Sequence, residues 1–393
     1  MLSHLFKLMW NKRRANGLLF LEILLAFIVL FGVYGFAFYN LDRYNSPLGF
    51  QTEDMLGVAI DIDDNIDSLA IAPLQERIKR DIRNLDGVAD VTFLGFVNPF
   101  GGNTWGYGGD DNGFEAHTTL SFVDEDFART LNMNMRDGRW FEPGDEHQKY
   151  SPIVVNGAFW DDFYPDAETI VDTLFILNEK PRRIIGVVDH YKYHSNFENP
   201  YPHVFFPPHS GMIKLSDYEQ LIVRAEPGRM AEVEEPLYRL LVNATKNPDV
   251  VSWNMEEDRK KSNRAVVIPL VIMIIISGFL LINIALGLFG VLFTQINHRR
   301  AEIGLRKAMG ATPGEVTVQF VSEVLLVTVA GLLLGTFFAV QVPLLELLPI
   351  PDRFFYLGIG AAIATILVIV TVCALLPSRQ AAGLHPAHVL HEQ

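Results

Sequence analysis

Chemistry needs side chains that can hold a metal, move a proton or cradle a phosphate, and this sequence offers few such groupings. His190 and His194 stand four apart, with Asp189 and Glu198 nearby. That spacing makes a ligand pair when both histidines ride one face of a helix. Here the segment follows a strand-like run and leads into Pro200 and Pro202, so a solvated loop is the better reading. Asp110 and Asp111 are adjacent acids without the spacing of a calcium loop. The chain has no G-x-S-x-G elbow, no H-E-x-x-H pair and no G-x-x-x-x-G-K-[ST] phosphate loop. Its one cysteine, Cys373, lies in an apolar run, which excludes an intrachain disulfide and a thiolate cluster. The expectation is a chain with no catalytic residues, no metal site and no ATP hydrolysis of its own.

The best-organised polar stretch is Gln295–Val316, QINHRRAEIGLRKAMGATPGEV. A helix over 298–309 places Ala301, Leu305, Ala308 and Met309 on one face, with Arg299, Glu302 and Arg306 largely elsewhere. Glu302 precedes Arg306 by four, the favourable order for a helical ion pair. Gly310 then stops the helix. Attraction to lipid headgroups accounts for the charges. A docking element for a partner protein accounts also for the apolar stripe and the Gly-Ala-Thr-Pro turn after it.

The elements around this stretch are long and apolar. Crossing a bilayer takes about 20 helical residues, and four segments qualify: Gly17–Phe38, Ala265–Phe293, Val316–Leu345 and Phe354–Leu376. Glu22, Asn283, Glu323 and Gln341 interrupt them. Both glutamates lie near a segment end, where headgroups or a protein partner can receive them. The first segment follows a basic start, read as an amphipathic helix over 1–16. Its apolar core is much longer than the ~7–15 residues of a cleaved signal, so a retained anchor is expected.

The net charge of -14 conceals a partition. Residues 42–262 hold 21 basic and 39 acidic side chains, a net of -18; the rest hold 11 and 7, a net of +4. An acidic block inside a basic, apolar frame excludes a simple soluble enzyme. It also argues against a nucleic-acid binder, which needs a basic surface. Lys7, Lys12, Arg13 and Arg14 precede the first span, and Arg299, Arg300, Arg306 and Lys307 follow the second. By the positive-inside rule both termini (the tail being 377–393) and the 294–315 loop are cytoplasmic. The 39–264 block is then extracytoplasmic.

That block alternates strands and helices. Leu56–Ile62, Val88–Phe96 and Glu115–Val123 read as strands; Pro73–Leu85 reads as a helix from its apolar spacing. Asp124–Leu131 looks helical. Pro152–Asn156, Thr173–Leu177, Arg182–Val188 and His203–Phe206 are short strands, followed by strand Gln220–Ala225, helix Arg229–Val242 and strand Val250–Trp253. Strand–helix–strand patterns thus bracket a β-rich centre, which predicts an α+β domain with one subdomain inserted in another. Asn98–Gly113 is Gly-rich and reads as a disordered surface loop with Trp105 and Tyr107 folded back, or as exposed partner contacts. Glu256, Glu257, Asp258, Arg259, Lys260 and Lys261 run without a break into the second span and can continue its helix as a stalk, with Pro269 as a point of flexure. Gly331 and Gly335 form a GxxxG that serves packing within one subunit or a dimer contact equally well.

Three places resemble the MacB/FtsX-like family of ABC transporter permeases. Arg300-Ala-Glu-Ile-Gly-Leu-Arg-Lys-Ala-Met-Gly-Ala311 is similar to the family's coupling-loop motif. Leu376-Pro-Ser-Arg-Gln-Ala-Ala382 and His385-Pro-Ala-His-Val-Leu390 look like its closing motif. Gly138-Arg-Trp-Phe141, Val154-Val-Asn156 and Ile184-Ile-Gly-Val-Val-Asp-His-Tyr191 look like landmarks of its outer core domain. The resemblance implies a four-span permease that dimerises, with itself or a similar permease, and rests on separate ATPase subunits that carry the ATP and magnesium. Arg299, Arg300, Glu302, Ile303, Gly304, Leu305, Arg306, Lys307, Ala308, Met309 and Gly310 would form the ATPase-coupling element. The outer domain would comprise a porter-like part, 50–125 and 213–262, and an inserted β-rich part, 126–212. The implied role is mechanotransmission in the inner membrane, driving export from the outer face, with a periplasmic adaptor as a further partner. The alternatives are a signalling device acting on a partner such as a cell-wall hydrolase, and a membrane receptor without an ATPase.

Overall fold

The computed structural model describes residues 13–62, 68–95, 97–112, 115–299, 303, 305 and 309–382. They divide into two compact units, one within Met1–Asp42 and Val267–Gln393, the other Arg43–Val266. The second is an α/β unit; the first is helical. In chain order the elements are α1 (Arg13–Asn45), β1 (Met55–Ala59), α2 (Ser68–Arg83), β2 (Val88–Leu94), β3 (Gly106–Gly109), β4 (Ala116–Phe122), the single turn α3 (Phe127–Thr130), β5 (Met135–Gly138), β6 (Pro152–Asn156), α4 (Gly157–Phe163), β7 (Leu174–Leu177), β8 (Lys180–Val188), β9 (His203–Phe206), β10 (Gln220–Ala225), α5 (Met230–Thr245), β11 (Val251–Asn254), α6 (Met255–His298), α7 (Pro313–Leu344) and α8 (Asp352–Ala382).

In the α/β unit a four-stranded antiparallel sheet has the order β11-β1-β10-β2. Read without what lies between β2 and β10, the chain runs β-α-β-β-α-β, a split βαβ of ferredoxin-like connectivity. Amphipathic spacing explains how the helices cover the sheet. Ile71, Ile78 and Ile82 of α2, and Val233, Leu237 and Leu241 of α5, are buried. All but Ile71 join Leu56, Val58, Val91, Phe93, Leu221 and Val223 in one core. Gly57 is required on β1, because a Cβ there would sit 2.1 Å from the Trp253 ring.

A seven-stranded mixed sheet is inserted between β2 and β10, ordered β3-β4-β9-β6-β8-β5 with β7 also on β8. The insertion begins earlier in the chain than the 126–212 span expected for it. β4 pairs in parallel with β9, Thr119 opposite His203 through Phe122 opposite Phe206. Its strand is as anticipated; its sheet is not, because alternation does not encode which strand lies alongside.

The Gly-rich segment also departs from the expected disordered loop, since it forms β3 against β4. Trp105 sets its edge on Phe122, with ring centroids 5.6 Å apart, and the Tyr107 hydroxyl donates to Asp111 at 2.6 Å. Both aromatics therefore serve the fold. Around Lys79, which is buried on α2, the carboxylates of Asp124, Glu125 and Asp126 stand at 3.3, 3.2 and 3.1 Å. This cluster fixes the chain where it leaves β4.

In the helical unit, among the described residues, four helices are long and apolar enough to cross a membrane. Their shared core includes Ile23, Phe27, Leu30, Ile284, Leu288, Val324, Leu332, Ala362 and Ile366. Gly331 and Gly335 pack inside this unit. A Cβ at Gly335 would meet the Phe27 ring at 2.4 Å, and one at Gly331 would meet Ile23 Cγ2 at 3.2 Å. Gly358 likewise admits α1, where its Cβ would lie 2.8 Å from the Gly35 nitrogen. The GxxxG face is therefore occupied by the first span of the same chain.

Candidate coupling site

The loop between α6 and α7 begins where α6 ends at His298. The Arg299 amide donates to Ile296 O at 3.1 Å, and the Ile303 amide to Arg299 O at 2.9 Å, so helical bonding continues into the loop. Met309 donates to Leu305 O at 3.0 Å, and Gly310 follows with φ 102°, a left-handed conformation suited to glycine as a helix stop. Thr312 then caps α7. Its hydroxyl accepts from the Glu315 amide, the Glu315 carboxylate accepts from the Thr312 amide, and Pro313 stands at the first position.

Two features hold the loop. Ile296, Ile303, Val316 and Phe320 form a small buried core. Beside it, Arg299 Nη1 donates to both carboxylate oxygens of Glu323 on α7, at 2.9 and 3.1 Å. The two side chains are only 11% and 13% exposed. Gln319 Nε2 gives Glu323 a further donor at 3.3 Å, and the Arg299 guanidinium lies 5.9 Å from the centre of the Phe320 ring. A carboxylate within an apolar helix is thus neutralised by the first residue past the neighbouring one. The sequence displayed both residues, but nothing in their spacing of 24 pairs them.

Of the stripe expected to face a partner, Leu305 is 55% and Met309 73% exposed. Ile303, named in the coupling element but not in the stripe, is buried. Arg300, Ala301, Glu302, Gly304, Arg306, Lys307 and Ala308 lie outside the described residues, as do the 1–12 portion of the N-terminal helix and the tail beyond Ala382.

The acidic-to-basic run Glu256, Glu257, Asp258, Arg259, Lys260 and Lys261 is the beginning of α6, a single 44-residue helix that also contains Pro269. Glu256 accepts from Thr52 Oγ1 at 2.6 Å and from Arg259 Nε at 2.8 Å. Glu22 of α1 sits against α6, within 2.8 Å of where a Cβ on Gly287 would be.

No group of three or more His, Cys, Asp or Glu side chains is placed to hold a metal among the described residues. His190 Nε2 is 3.6 Å from Asp189, and the His194 amide donates to Glu198 Oε2 at 2.7 Å. What the sequence missed is the residue between them. Lys192 is buried and fully engaged, and in the sequence it looks like any surface lysine.

Comparison with known proteins adds the following. Residues 23–238 match the family model described as MacB-like periplasmic core domain, and residues 274–386 the one described as FtsX-like permease C-terminal. The macrolide export ATP-binding/permease protein MacB of Chromobacterium violaceum is 26% identical over 286 residues, covering 70% of this chain and 44% of that protein. The MacB protein of Escherichia coli is 25% identical over 290 residues, covering 71% and 44%. This chain therefore spans less than half the length of these curated relatives. Among solved structures, the periplasmic region of MacB from Actinobacillus actinomycetemcomitans is similar at 13% identity and a TM-score of 0.38, over 56% of this chain and 97% of that one. The extracellular domain of the noncanonic ABC-type transporter YknZ from Gram-positive bacteria matches at 15% identity and a TM-score of 0.37, over 51% of this chain and 100% of that one.

Proposed function

The chain belongs to the MacB/FtsX-like family of ABC transporter permeases, and from that premise we propose that it couples a separate ATPase subunit to movement of its own α/β unit. Termini and the α6–α7 loop face the cytoplasm of a cell whose inner membrane holds the four spans, and the α/β unit lies outside. ATP and Mg²⁺ belong to the partner ATPase, and this chain supplies no hydrolytic residue. Two permease chains, identical or similar, form the membrane core.

The observation that carries this reading is the continuity of α6. Its 44 residues span about 66 Å at 1.5 Å per residue, roughly twice the ~30 Å of a bilayer's hydrocarbon. One helix can therefore link the last strand of the α/β unit with the loop between spans. At that loop, Leu305 and Met309 offer exposed apolar side chains, while Arg299 is anchored to Glu323. Helix-in-groove docking of such a segment needs that combination of free face and fixed base.

The work driven this way is export or extrusion of a substrate met at the outer face. The test is co-purification of the tagged chain, from its native membranes, with an ABC ATPase subunit. The parent chain should retain it; Leu305→Asp and Met309→Asp should lose it while the permease still folds. Absence of any ATPase on the parent chain refutes the assignment. An ATPase that binds with no ATP-dependent export in an accumulation assay moves the role to signalling on an outer partner.

A further inference from the structure

The turn at 190–198, between β8 and β9, looks like solvated loop in the sequence, but it is hydrogen-bonded to the end of α1 and to the base of α6. Lys192 is 3% exposed. Its ammonium donates to four oxygens: Arg43 O at 2.5 Å, Ser46 O at 3.1 Å, Ser46 Oγ at 2.6 Å and Asn196 O at 2.9 Å. Burying an ammonium costs several kcal/mol unless its protons find acceptors. Three of the four acceptors lie at the C-terminal end of α1, where carbonyls lack helical partners and the dipole favours a cation.

The same turn grips the base of α6. Asn196 is 8% exposed and accepts on its side-chain oxygen from Arg259 Nη1 at 3.0 Å and Asn263 Nδ2 at 2.9 Å. Its amide donates to Asn263 Oδ1 at 3.0 Å. The chain leaving α1 then runs along the turn. Lys192 N donates to Leu48 O at 2.9 Å, and Tyr44 packs on Phe197 with centroids 5.4 Å apart. Gly49, at φ 97°, allows this approach, since a Cβ there would stand 1.9 Å from His190 O. All these residues lie within Arg43–Val266. On the other side the turn is continuous with β8, which pairs with β5, β6 and β7.

We propose that Lys192 and Asn196 form a joint fastening the end of α1 and the base of α6 to the seven-stranded sheet, so that displacement of either helix is handed to that sheet. Both are positioning residues. The fastening stands on its own geometry; the transmission rests on the coupling function proposed above.

Two measurements on the full chain in nanodiscs test them separately. Hydrogen exchange comes first, on Lys192→Met and on the milder Asn196→Ala, with Lys192→Arg as the charge-conserving control. In Lys192→Met, exchange should rise at least tenfold in 43–50 and in 256–263 together, with α2 and α5 unchanged. In Asn196→Ala the rise should concentrate in 256–263. No change in either variant, or a uniform rise across the α/β unit, overturns the joint. The second measurement is the ATP-dependent change in distance between spin labels on α5 and β7, with the co-purifying ATPase bound. Lys192→Met should abolish that change without releasing the ATPase. A short bifunctional thiol cross-linker between Tyr44→Cys and Phe197→Cys, in a Cys373→Ser background, should restore it. An undiminished change in Lys192→Met, or loss that the cross-link does not restore, overturns transmission through this turn. If the parent chain shows no ATP-dependent change, the coupling function fails while the exchange data still decide the joint.

Discussion

Replacing Arg299 by Met removes the Nη1 donor that serves both oxygens of Glu323 and keeps the apolar stem. Glu323, 13% exposed, would then keep Gln319 Nε2 at 3.3 Å. Leaving one member of a buried ion pair uncompensated costs about 3–5 kcal/mol. The pair is not wholly buried and Gln319 remains, so the lower end, about 3 kcal/mol, is the working value. At 1.4 kcal/mol per factor of ten, the population with the loop detached should rise ~100-fold. Hydrogen exchange of peptides containing Ile303 and Met309 reads this directly, because both amides donate within the loop, at 2.9 and 3.0 Å. Their exchange should accelerate by about that factor while the α8 amides stay unchanged. The double exchange Arg299→Glu with Glu323→Arg should recover most of the protection. Unchanged exchange in Arg299→Met would show that the Ile296–Ile303–Val316–Phe320 core alone holds the loop, and the reasoning would fail.

Gly335→Ala drives a methyl into the Phe27 ring and should destabilise the helical unit by about 1–3 kcal/mol, seen as a lower melting temperature in detergent with oligomeric state preserved. Loss of the dimer at unchanged melting temperature would instead make the GxxxG an intersubunit contact. Asp145, held below the usual carboxylate range by its hydrogen bonds from Arg139, contributes stability that is complete above an unfolded pKa of ~4 and is lost as pH falls through its lower folded value. Arg139→Gln should flatten the acid limb of a tryptophan-fluorescence unfolding profile below about pH 4; an identical profile counts against the pair. Gly57→Val should prevent β1 and β11 from pairing at Trp253, lowering the yield of folded chain; normal yield and far-ultraviolet dichroism would contradict the close approach.

Much of the architecture was legible because its signals are local. Twelve of the outer block's elements follow from alternation or helical spacing within a dozen residues, as Val233, Leu237 and Leu241 of α5 illustrate. The short β3, β5 and α4 escaped, the first two being four-residue edge segments and the third two turns after Asn156. In the loop between spans, the sequence placed Leu305 on the apolar stripe, and it is exposed, but gave no sign that Ile303, off the stripe, is buried. That distinction depends on where Val316 and Phe320 return in α7.

Four spans, a charge partition across them and a split α/β block are determined by the sequence alone, because bilayer thickness and side-chain hydration act on each segment where it stands. Only the tertiary structure assigned β4 to the larger sheet, gave the Gly331–Gly335 face to Phe27 and Ile23, paired Arg299 with Glu323 and buried Lys192 against the end of α1. Each of those joins residues far apart in the chain. Such contacts form only where packing brings two surfaces into register, and no periodicity within either segment records the other.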